Sequence, residues 1–375
     1  MRILFCAAPA GGHLFPILPL ADAAVDAGDD VAILTGRGGA AFVPGWTVLE
    51  HGPSMAEALA QAAEKFPGED GTQPGAATIE LFGGIRVEGA AADGALDAAR
   101  SFAPDLIVAE AFDEVGPFIA SVLGVPHVAH ALTGPVPPEM LAAIAARADV
   151  VIACAGAVRA PRTALVDPYP ETLLADAERS DAADRLPIRP AVHAEQSEAS
   201  LFSPRAEGRP RVLVSMGTVV TDLDVIRPLA GAAVRAGAEA IVTTPRDVPT
   251  PAGDRAHERW VGFAPLSELL PHVDAIISAG GTGTVLAALS AGVPVVIHPL
   301  LADQPWNARR LQERGVAVTI DEVRDAENAV RSVLADDRYR SSARELQREI
   351  RTLPTATDVL VQLRSWIPQP DASDV

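Results

Sequence analysis

A glycine- and threonine-rich stretch in the last third of the chain has the composition of a phosphate-binding loop. An apolar segment, Ala275–Ser278, leads into Ala279, Gly280, Gly281, Thr282, Gly283 and Thr284. An alanine-rich helical pattern follows, so backbone amides and a positive helix end converge on one point and favour an anion. A second apolar segment ends at Ile297 and is followed by Asp303 and Gln304, which can hydrogen-bond to hydroxyl groups. Because parallel strands bind ligands beyond their carboxyl ends, the sequence predicts a sugar nucleotide.

A histidine near the start of the chain could act as a base. Ile3–Ala7 predicts a first strand, and the turn Pro9–Gly12 after it would present His13 at the carboxyl edge of a sheet. Imidazole has an ordinary pKa of about 6.5, which suits proton removal from a hydroxyl near neutral pH. The alternative is a histidine that only caps the following helix.

Length and composition set limits on the class of protein. The chain has 375 residues, 49% of them hydrophobic, which predicts two domains with ample cores. Its net charge of −19 and pI near 4.8 argue against nucleic acid and anionic membrane surfaces as partners. Lys65 is the only lysine, so phosphate must be bound locally by other groups.

Cysteine usage and apolar runs predict a location. Cys6 and Cys154 lie in apolar, strand-like runs, which favours two buried thiols rather than a disulfide or a metal pair. The N-terminus lacks the long apolar core of a signal peptide, and no run of about eighteen apolar residues occurs elsewhere. We therefore expect a cytoplasmic protein.

Apolar segments alternate with helical patterns along most of the chain, which predicts an α/β fold with parallel sheets. The predicted strands are Ile3–Ala7, Val31–Leu34, Leu106–Ala109, Val125–Ala129, Val150–Ala153, Val212–Ser215, Ala240–Thr243, Ala275–Ser278 and Val293–Ile297. Predicted helices are Ile17–Ala27, Pro138–Ala148 and Pro354–Trp366. Residues 52–90 carry Gly68, Gly71, Pro74, Gly75, Gly83 and Gly84 with weak periodicity, which predicts mobile loops and short helices.

Four motifs occur in a fixed order that is similar to one enzyme family. They are Gly12–Pro16, Val214–Thr218, Gly262–Leu266, and Gly280–Thr284 with Pro294, Pro299, Asp303, Gln304, Asn307 and Ala308. This set resembles the nucleotide-sugar-dependent glycosyltransferases of the GT-B architecture, particularly the bacterial natural-product branch of family 1. The resemblance implies two facing Rossmann-like domains with a deep interdomain cleft.

The same resemblance implies a domain organisation. Residues 1–190 would form an acceptor-binding domain, 191–210 a proline-rich linker, and 211–353 a nucleotide-sugar donor domain. A C-terminal helix at about 355–367 would pack back on the first domain. The implied reaction is inverting transfer from a TDP- or UDP-sugar to an apolar aglycone such as a polyketide, macrolide or aromatic compound. No metal and no cofactor are expected beyond the co-substrate, and a homodimer is plausible.

The family's catalytic residues can be placed on this chain. The resemblance makes His13 the general base and puts its partner carboxylate at the end of the strand Leu106–Ala109, where the chain has Glu110. Asp113 follows three residues later and is a second candidate. The alternative is that one or both acids only favour a helix N-terminus.

The family's donor-binding residues can be placed in the same way. Gly12, Gly217 and Thr218 would bind the donor together with the loop Gly280–Thr284. Phe263 would stack on the base and the Ala264 backbone would pair with the base edge, although Phe263 could instead be core. Asp303 and Gln304 would hydrogen-bond to sugar hydroxyls.

One residue departs from the family pattern. Ala279 stands where the family usually has a histidine that donates to the donor phosphate, and one lost charge-assisted hydrogen bond costs about 1.5–3 kcal/mol. The Thr282 and Thr284 hydroxyls could take over this contact. The alternatives are a non-catalytic homologue that binds nucleotide or aglycone or assists a partner transferase, and a sugar-nucleotide epimerase.

Other polar residues favour structural roles. Asp222 and Asp224 match a metal-binding Asp-x-Asp pattern, yet their position predicts the N-terminal acids of a helix. His127, His130 and His298 lie near predicted strand ends, where structural roles are expected.

Overall fold

The computed structural model describes residues 1–179, 183–191, 208–218, 220–245, 248–251 and 256–367. The chain divides into two compact units. The first comprises Met1–Pro168, Ser180–Arg189 and Pro354–Val375; the second comprises Tyr169–Arg179 and Pro190–Leu353. Most of the linker expected at 191–210 lies outside the described residues.

The first unit contains a seven-stranded parallel sheet. Its strands are β1 (Arg2–Cys6), β2 (Asp30–Thr35), β3 (Val48–Glu50), β4 (Leu106–Glu110), β5 (His127–His130), β6 (Ala164–Asp167) and β7 (Arg185–Pro187). Their order across the sheet is β3-β2-β1-β4-β5-β6-β7. The central strands β1 and β4 are buried on both sides, as expected for a parallel sheet covered by helices on each face.

Eight helices of the first unit precede its last strand among the described residues. They are α1 (Gly11–Leu14), α2 (Leu18–Asp26), α3 (Met55–Lys65), α4 (Ala76–Glu80), α5 (Arg86–Ala92), α6 (Ala95–Phe102), α7 (Val115–Leu123) and α8 (Pro138–Cys154). A π-helical turn, Leu81–Ile85, joins α4 to α5. Residues 52–90 therefore contain more helix than the weak periodicity predicted.

Two glycines explain why the region around the π-helical turn was misread. A Cβ on Gly83 would lie 2.3 Å from the Ile144 carbonyl oxygen, and one on Gly84 would lie 2.7 Å from the Arg147 guanidinium. Both glycines therefore allow close approach to α8. The sequence pattern predicted loops because glycine at a helix contact looks the same as glycine in a turn.

The predicted strand Val150–Ala153 is wrong, because these residues form the last turn of α8. A short apolar run does not distinguish a strand from one side of a helix. Val150 is 56% exposed, and Cys154 at the end of α8 is also exposed rather than buried. Cys6 is buried, as expected, within β1.

The second unit contains a six-stranded parallel sheet in the order β10-β9-β8-β11-β12-β13. Its strands are β8 (Arg211–Ser215), β9 (Glu239–Thr243), β10 (Glu258–Gly262), β11 (Ala275–Ser278), β12 (Val295–Ile297) and β13 (Ala317–Thr319). Its helices are α9 (Leu223–Arg235), α10 (Leu266–Leu269), α11 (Thr282–Ala291), α12 (Gln304–Glu313), α13 (Ala326–Ala335) and α14 (Asp337–Thr352). The strand order is that of a Rossmann fold, which reverses between β8 and β11.

The last helix, α15 (Ala356–Trp366), belongs to the first unit. Thr355 begins it with a capping box, in which the threonine hydroxyl and the Asp358 carboxylate satisfy free backbone amides. Val359, Leu360 and Leu363 pack into the same core as α2. No helix in the described part of the chain is both long and apolar enough to cross a membrane.

Candidate active site

The first candidate site lies at the point where the strand order of the first sheet reverses. β1 and β4 are neighbours, with Cys6 beside Ala109. His13 lies on α1, which begins five residues after β1 ends, and Glu110 is the last residue of β4. Such a reversal point opens a crevice at the carboxyl edge of a parallel sheet, so both side chains lie where this fold binds ligands.

His13 and Glu110 form a hydrogen-bonded pair. His13 Nδ1 lies 2.8 Å from Glu110 Oε1, and the Phe112 backbone N–H donates to Glu110 Oε2 at 2.7 Å. The Glu110 side chain is fully buried, whereas that of His13 is 19% exposed. An ionised carboxylate only accepts, so the His13 proton lies on Nδ1 and Nε2 keeps a lone pair. This is the arrangement of a base held by an orienting acid.

Asp113 has different partners. Its carboxylate accepts hydrogen bonds from the Arg86 guanidinium and, at 3.0 Å, from the Gly116 backbone N–H. Both members of the ion pair are buried. Burial raises the pKa of Asp113, and the charge of Arg86 opposes that shift. Of the two candidate orienting acids, only Glu110 contacts His13 among the described residues.

Two aromatic rings flank the His13 imidazole, and neither was among the site residues expected from the sequence. Phe82, on the π-helical turn, stacks on it at a centroid distance of 5.6 Å. Phe112 meets it edge-on at 6.3 Å and lies 5.3 Å from Phe82. Phe112 follows Glu110 closely enough to have been suspected, whereas Phe82 comes from a distant segment without a recognisable motif. The His13 imidazole therefore lies beside the apolar surface of two phenylalanine rings.

The second candidate site is the glycine-rich loop after β11. Gly280 has a φ of +90°, and a Cβ there would lie 2.6 Å from Ile297 Cγ2, so glycine is required. Gly281 and Gly283 instead have open space where a Cβ would stand. The N-cap residue Gly281 has no side chain, and Asp303 accepts the Thr282 N–H, so the Gly283 and Thr284 N–H groups are the first-turn amides without a partner in the helix. The first turn of α11 therefore presents backbone N–H groups and a positive helix end, which favour an anion.

Asp303 supports this loop from within the unit. Its Oδ2 accepts hydrogen bonds from the Thr282 backbone N–H at 3.1 Å and the Thr282 hydroxyl at 2.5 Å. The Asn307 side-chain amide donates to the same oxygen at 3.0 Å. Of the two hydroxyls expected to replace the missing histidine, that of Thr282 is thus engaged by Asp303. Thr284 is half-buried on the same helical turn.

Gln304 also has an internal partner. Its Oε1 accepts the backbone N–H groups of Leu300 at 2.8 Å and Leu301 at 3.0 Å. Gln304 Oε1, which was expected to bind a sugar hydroxyl, therefore stabilises the loop between β12 and α12. Ala302 in this loop has a φ of +53°, an unusual conformation for a residue other than glycine.

Most of the remaining expected donor residues follow the strands β8, β10 and β11 of the second unit. Ser215 at the end of β8 pairs with Ser278 at the end of β11, so the loops that follow both strands begin side by side. The positions concerned are exposed Gly217, half-buried Thr218, half-buried Phe263, buried Ala264 and buried Ala279. Ala279 is 2% exposed and belongs to the core between the sheet and α9. Gly12 is exposed on α1.

The weaker candidates have structural explanations. Asp222 is the N-cap of α9 and accepts the Asp224 backbone N–H at 2.8 Å. Within the described ranges, no three acidic, histidine or cysteine side chains are placed to hold a metal ion. His127, His130 and His298 are buried. Burial lowers the pKa of His127 and of His130 to about 4.

Comparison with known proteins adds to this geometry. Residues 229–365 match the model of the Erythromycin biosynthesis protein CIII-like, C-terminal domain. The chain is 30% identical to the elloramycin glycosyltransferase ElmGT of Streptomyces olivaceus over 403 aligned residues, covering 97% of each chain. This chain therefore belongs to the bacterial natural-product glycosyltransferases. This chain is also 30% identical to the L-demethylnoviosyl transferase of Streptomyces niveus over 405 aligned residues. The alignment covers 98% of this chain and all of that protein.

A solved structure supports the same family. The glycosyltransferase SsfS6 of Streptomyces sp. SF2575, complexed with thymidine diphosphate, matches with a TM-score of 0.81 and 26% identity. The match covers 97% of this chain and 99% of that one. The predicted GT-B fold is therefore confirmed, and the glycosyltransferase is an enzyme, as its family is.

Proposed function

We propose that this glycosyltransferase moves a sugar from a TDP-sugar to a hydroxyl of an apolar natural-product aglycone, with inversion at the anomeric carbon and His13 as general base. The observation that carries the proposal is the His13–Glu110 pair, in which a buried carboxylate holds Nδ1 and leaves Nε2 as the basic atom. Glu110 would stabilise the imidazolium that forms when Nε2 accepts the proton.

The choice of donor rests on the second unit and on a related structure. Open backbone N–H groups at the N-terminus of α11 suit a diphosphate without any lysine. SsfS6 was crystallised with thymidine diphosphate, which supports a TDP-sugar in preference to a UDP-sugar. Phe263 is half-buried beside this edge of the sheet, which is compatible with a stacking role toward the base.

The choice of acceptor rests on the surroundings of the base and on the relatives. Phe82 and Phe112 border the His13 imidazole with apolar surface, so an apolar molecule with a hydroxyl fits better than a sugar chain. The full-length relatives are named as the elloramycin glycosyltransferase and the L-demethylnoviosyl transferase. We infer a natural-product aglycone as acceptor.

The proposed reaction is a single displacement. His13 Nε2 removes the proton of the acceptor hydroxyl, whose oxygen attacks the anomeric carbon opposite the departing nucleoside diphosphate. The bond from the anomeric carbon to the diphosphate oxygen breaks, and that oxygen leaves with the bonding electrons. Charge on the leaving group would be stabilised by the α11 dipole and loop amides. No metal or further cofactor is included in this proposal.

The test combines donor and acceptor panels. Purified enzyme is incubated with TDP- and UDP-sugars and with macrolide, polyketide and aromatic aglycones, with and without a chelator, and the products are measured by mass spectrometry. We expect glycoside and free TDP only when both substrates are present, at a rate that the chelator does not change. NMR of the product should show the inverted anomeric configuration. Turnover of a sugar nucleotide without acceptor would contradict the proposal and indicate an epimerase.

A further inference from the structure

A segment from the first half of the sequence belongs to the second unit. Tyr169–Arg179, which we call the strap, lies between β6 and β7 in the sequence, yet it belongs to the second unit. Tyr169, Leu173 and Leu174 are buried in the core that also contains residues of β11, α11 and α12. From the sequence this segment was expected to belong to the first domain, because chain order alone does not show which core a side chain enters.

The strap contacts α12 through hydrogen bonds and one pair of aromatic rings. Arg310 Nε donates to the Leu173 carbonyl at 2.7 Å, and Trp306 Nε1 donates to Glu178 Oε1 at 2.9 Å. The Tyr169 and Trp306 rings meet edge-on at a centroid distance of 5.3 Å. Because α12 begins directly after Asp303, these contacts fix the helix that carries the support of the glycine-rich loop.

One buried side chain links the strap to that loop. The Tyr169 hydroxyl donates to Asn307 Oδ1 at 2.6 Å, and neither residue is more than 2% exposed. The Asn307 Nδ2 group then lies 2.8 Å from the Gly280 carbonyl oxygen and 3.1 Å from Thr282 Oγ1. Without the tyrosine hydroxyl, Asn307 Oδ1 would lose this buried donor, and the amide would be held only through the contacts of Nδ2.

The bond to the Gly280 carbonyl sets the direction of a potential ligand contact. In a trans peptide the N–H of the next residue points opposite to the C=O, so a Gly280 carbonyl held by Asn307 aims the Gly281 N–H the other way. Gly281 has open space around its Cβ position. Fixing this peptide plane therefore fixes a donor on the side where an anion can approach.

We propose that Tyr169 is a positioning residue for the nucleotide diphosphate, acting through Asn307 on the Gly280–Gly281 peptide. The inference rests on the proposed function in one respect, namely that this loop binds a diphosphate. It adds that the binding site depends on a residue outside the family motifs and outside the continuous donor domain expected from the sequence.

The test uses Tyr169→Phe, which removes the hydroxyl and keeps the ring. The control is Tyr339→Phe, the other tyrosine of the chain, which is half-buried in the second unit and whose hydroxyl makes no hydrogen bond to the glycine-rich loop among the described residues. Calorimetry with TDP and UDP should show about 3- to 10-fold weaker binding for Tyr169→Phe, the ratio expected for one neutral buried hydrogen bond. Tyr339→Phe should bind as the native enzyme does. The donor KM should rise in parallel while the acceptor KM stays the same.

Two further measurements separate positioning from general stability. Amide hydrogen exchange at Gly280–Thr284 should become faster in Tyr169→Phe and remain native-like in Tyr339→Phe. In a double-mutant cycle with Asn307→Ala, the double variant should bind no more weakly than Asn307→Ala alone, because Tyr169 acts through Asn307. Additive losses, or a lower melting temperature with unchanged nucleotide affinity, would overturn the inference alone. Absence of nucleotide binding by the native enzyme would overturn the proposed function with it.

Discussion

Each unit has its candidate site at the point where the strand order of its sheet reverses. The first unit uses a side chain there, and the second uses backbone amides. In the first unit the candidate functional group is a side chain: the His13 imidazole is partly exposed and its partner Glu110 is buried. In the second unit Asp303 and Asn307 bind the glycine-rich loop, and the Gly283 and Thr284 backbone N–H groups have no partner within α11. Proton transfer needs a titratable atom, whereas anion binding needs N–H groups of fixed direction.

The groups that pack around the two candidate sites also differ in their chemistry. Around His13 they are two phenylalanine rings and a buried ion pair, Arg86–Asp113, which joins the segment after Phe82 to the segment after Phe112. Around the glycine-rich loop they are an amide, hydroxyls and one carboxylate. Loss of one partner of the Arg86–Asp113 pair leaves a buried charge without its counter-ion, whereas the Asp303 carboxylate is held by neutral amide and hydroxyl donors.

The largest expected effect concerns the side-chain site. His13→Ala should lower turnover by about 10²–10⁴-fold, the range for loss of a general base. TDP affinity should be unchanged, because the second unit contains the proposed nucleotide site. Steady-state rates and calorimetry on the same preparation check both parts. A near-normal rate would remove His13 from the mechanism, and a large loss of TDP affinity would contradict the division of roles between the units.

The next effect concerns the buried ion pair. Arg86→Met leaves the Asp113 carboxylate buried without its cation, which should cost about 3–5 kcal/mol of unfolding free energy. The double variant Arg86→Met/Asp113→Leu removes both charges and should recover much of this loss. If the single variant is as stable as the native enzyme, the pair has no structural role and Asp113 would become available for another function.

Unfolding of the first unit can be measured separately. The chain has four tryptophans, two in each unit: Trp46, Trp366, Trp260 and Trp306. Replacing Trp260 and Trp306 with phenylalanine leaves fluorescence from the first unit only, and urea titration then reports its stability. The same background serves the pH experiment that follows.

A third effect is a pH dependence confined to the first unit. Burial lowers the pKa of His130 to about 4 from an ordinary 6.5, so the unfolded chain binds more protons between these values. The contribution of neutral His130 is fully present above pH 6.5 and is lost as pH falls toward 4, by about 3 kcal/mol. The stability difference between the native enzyme and His130→Gln should shrink by that amount from pH 7 to pH 4. A constant difference would show that His130 does not titrate in this way.

Sequence patterns predicted eight of the thirteen strands in the described residues and missed the short or edge strands β3, β6, β7, β10 and β13. Glu110 ends a recognisable apolar strand, where the family resemblance placed the partner of His13 with Asp113 as the alternative, and the structure pairs Glu110 with His13. The catalytic and binding roles of these residues stay predictions. Val150–Ala153 failed because an apolar run of this length fits either a strand or a helix end.

Residues defined by tertiary contact could not be found in this way. Phe82 and Arg86 reach the His13 region from a segment whose glycines looked like loop residues. Tyr169 joins the second unit although its sequence neighbours belong to the first. In each case the decisive fact is which surface a side chain packs against, and a single sequence carries no periodic signal for that.

The smallest effect tests the backbone site, and it separates folding from binding. Gly283 lies on the first turn of α11 with open space at its Cβ position, so Gly283→Ala should fold normally and gain up to about 1 kcal/mol of helix stability. If a diphosphate approaches the backbone here, the added methyl group should still weaken TDP binding by about 10-fold, or roughly 1.4 kcal/mol. Gly280→Ala is the contrasting variant, since its Cβ would clash with Ile297 and should lower stability and binding together. Unchanged TDP affinity in Gly283→Ala would mean that the ligand does not use this face of the helix, and the contrast between a side-chain site and a backbone site would have to be abandoned.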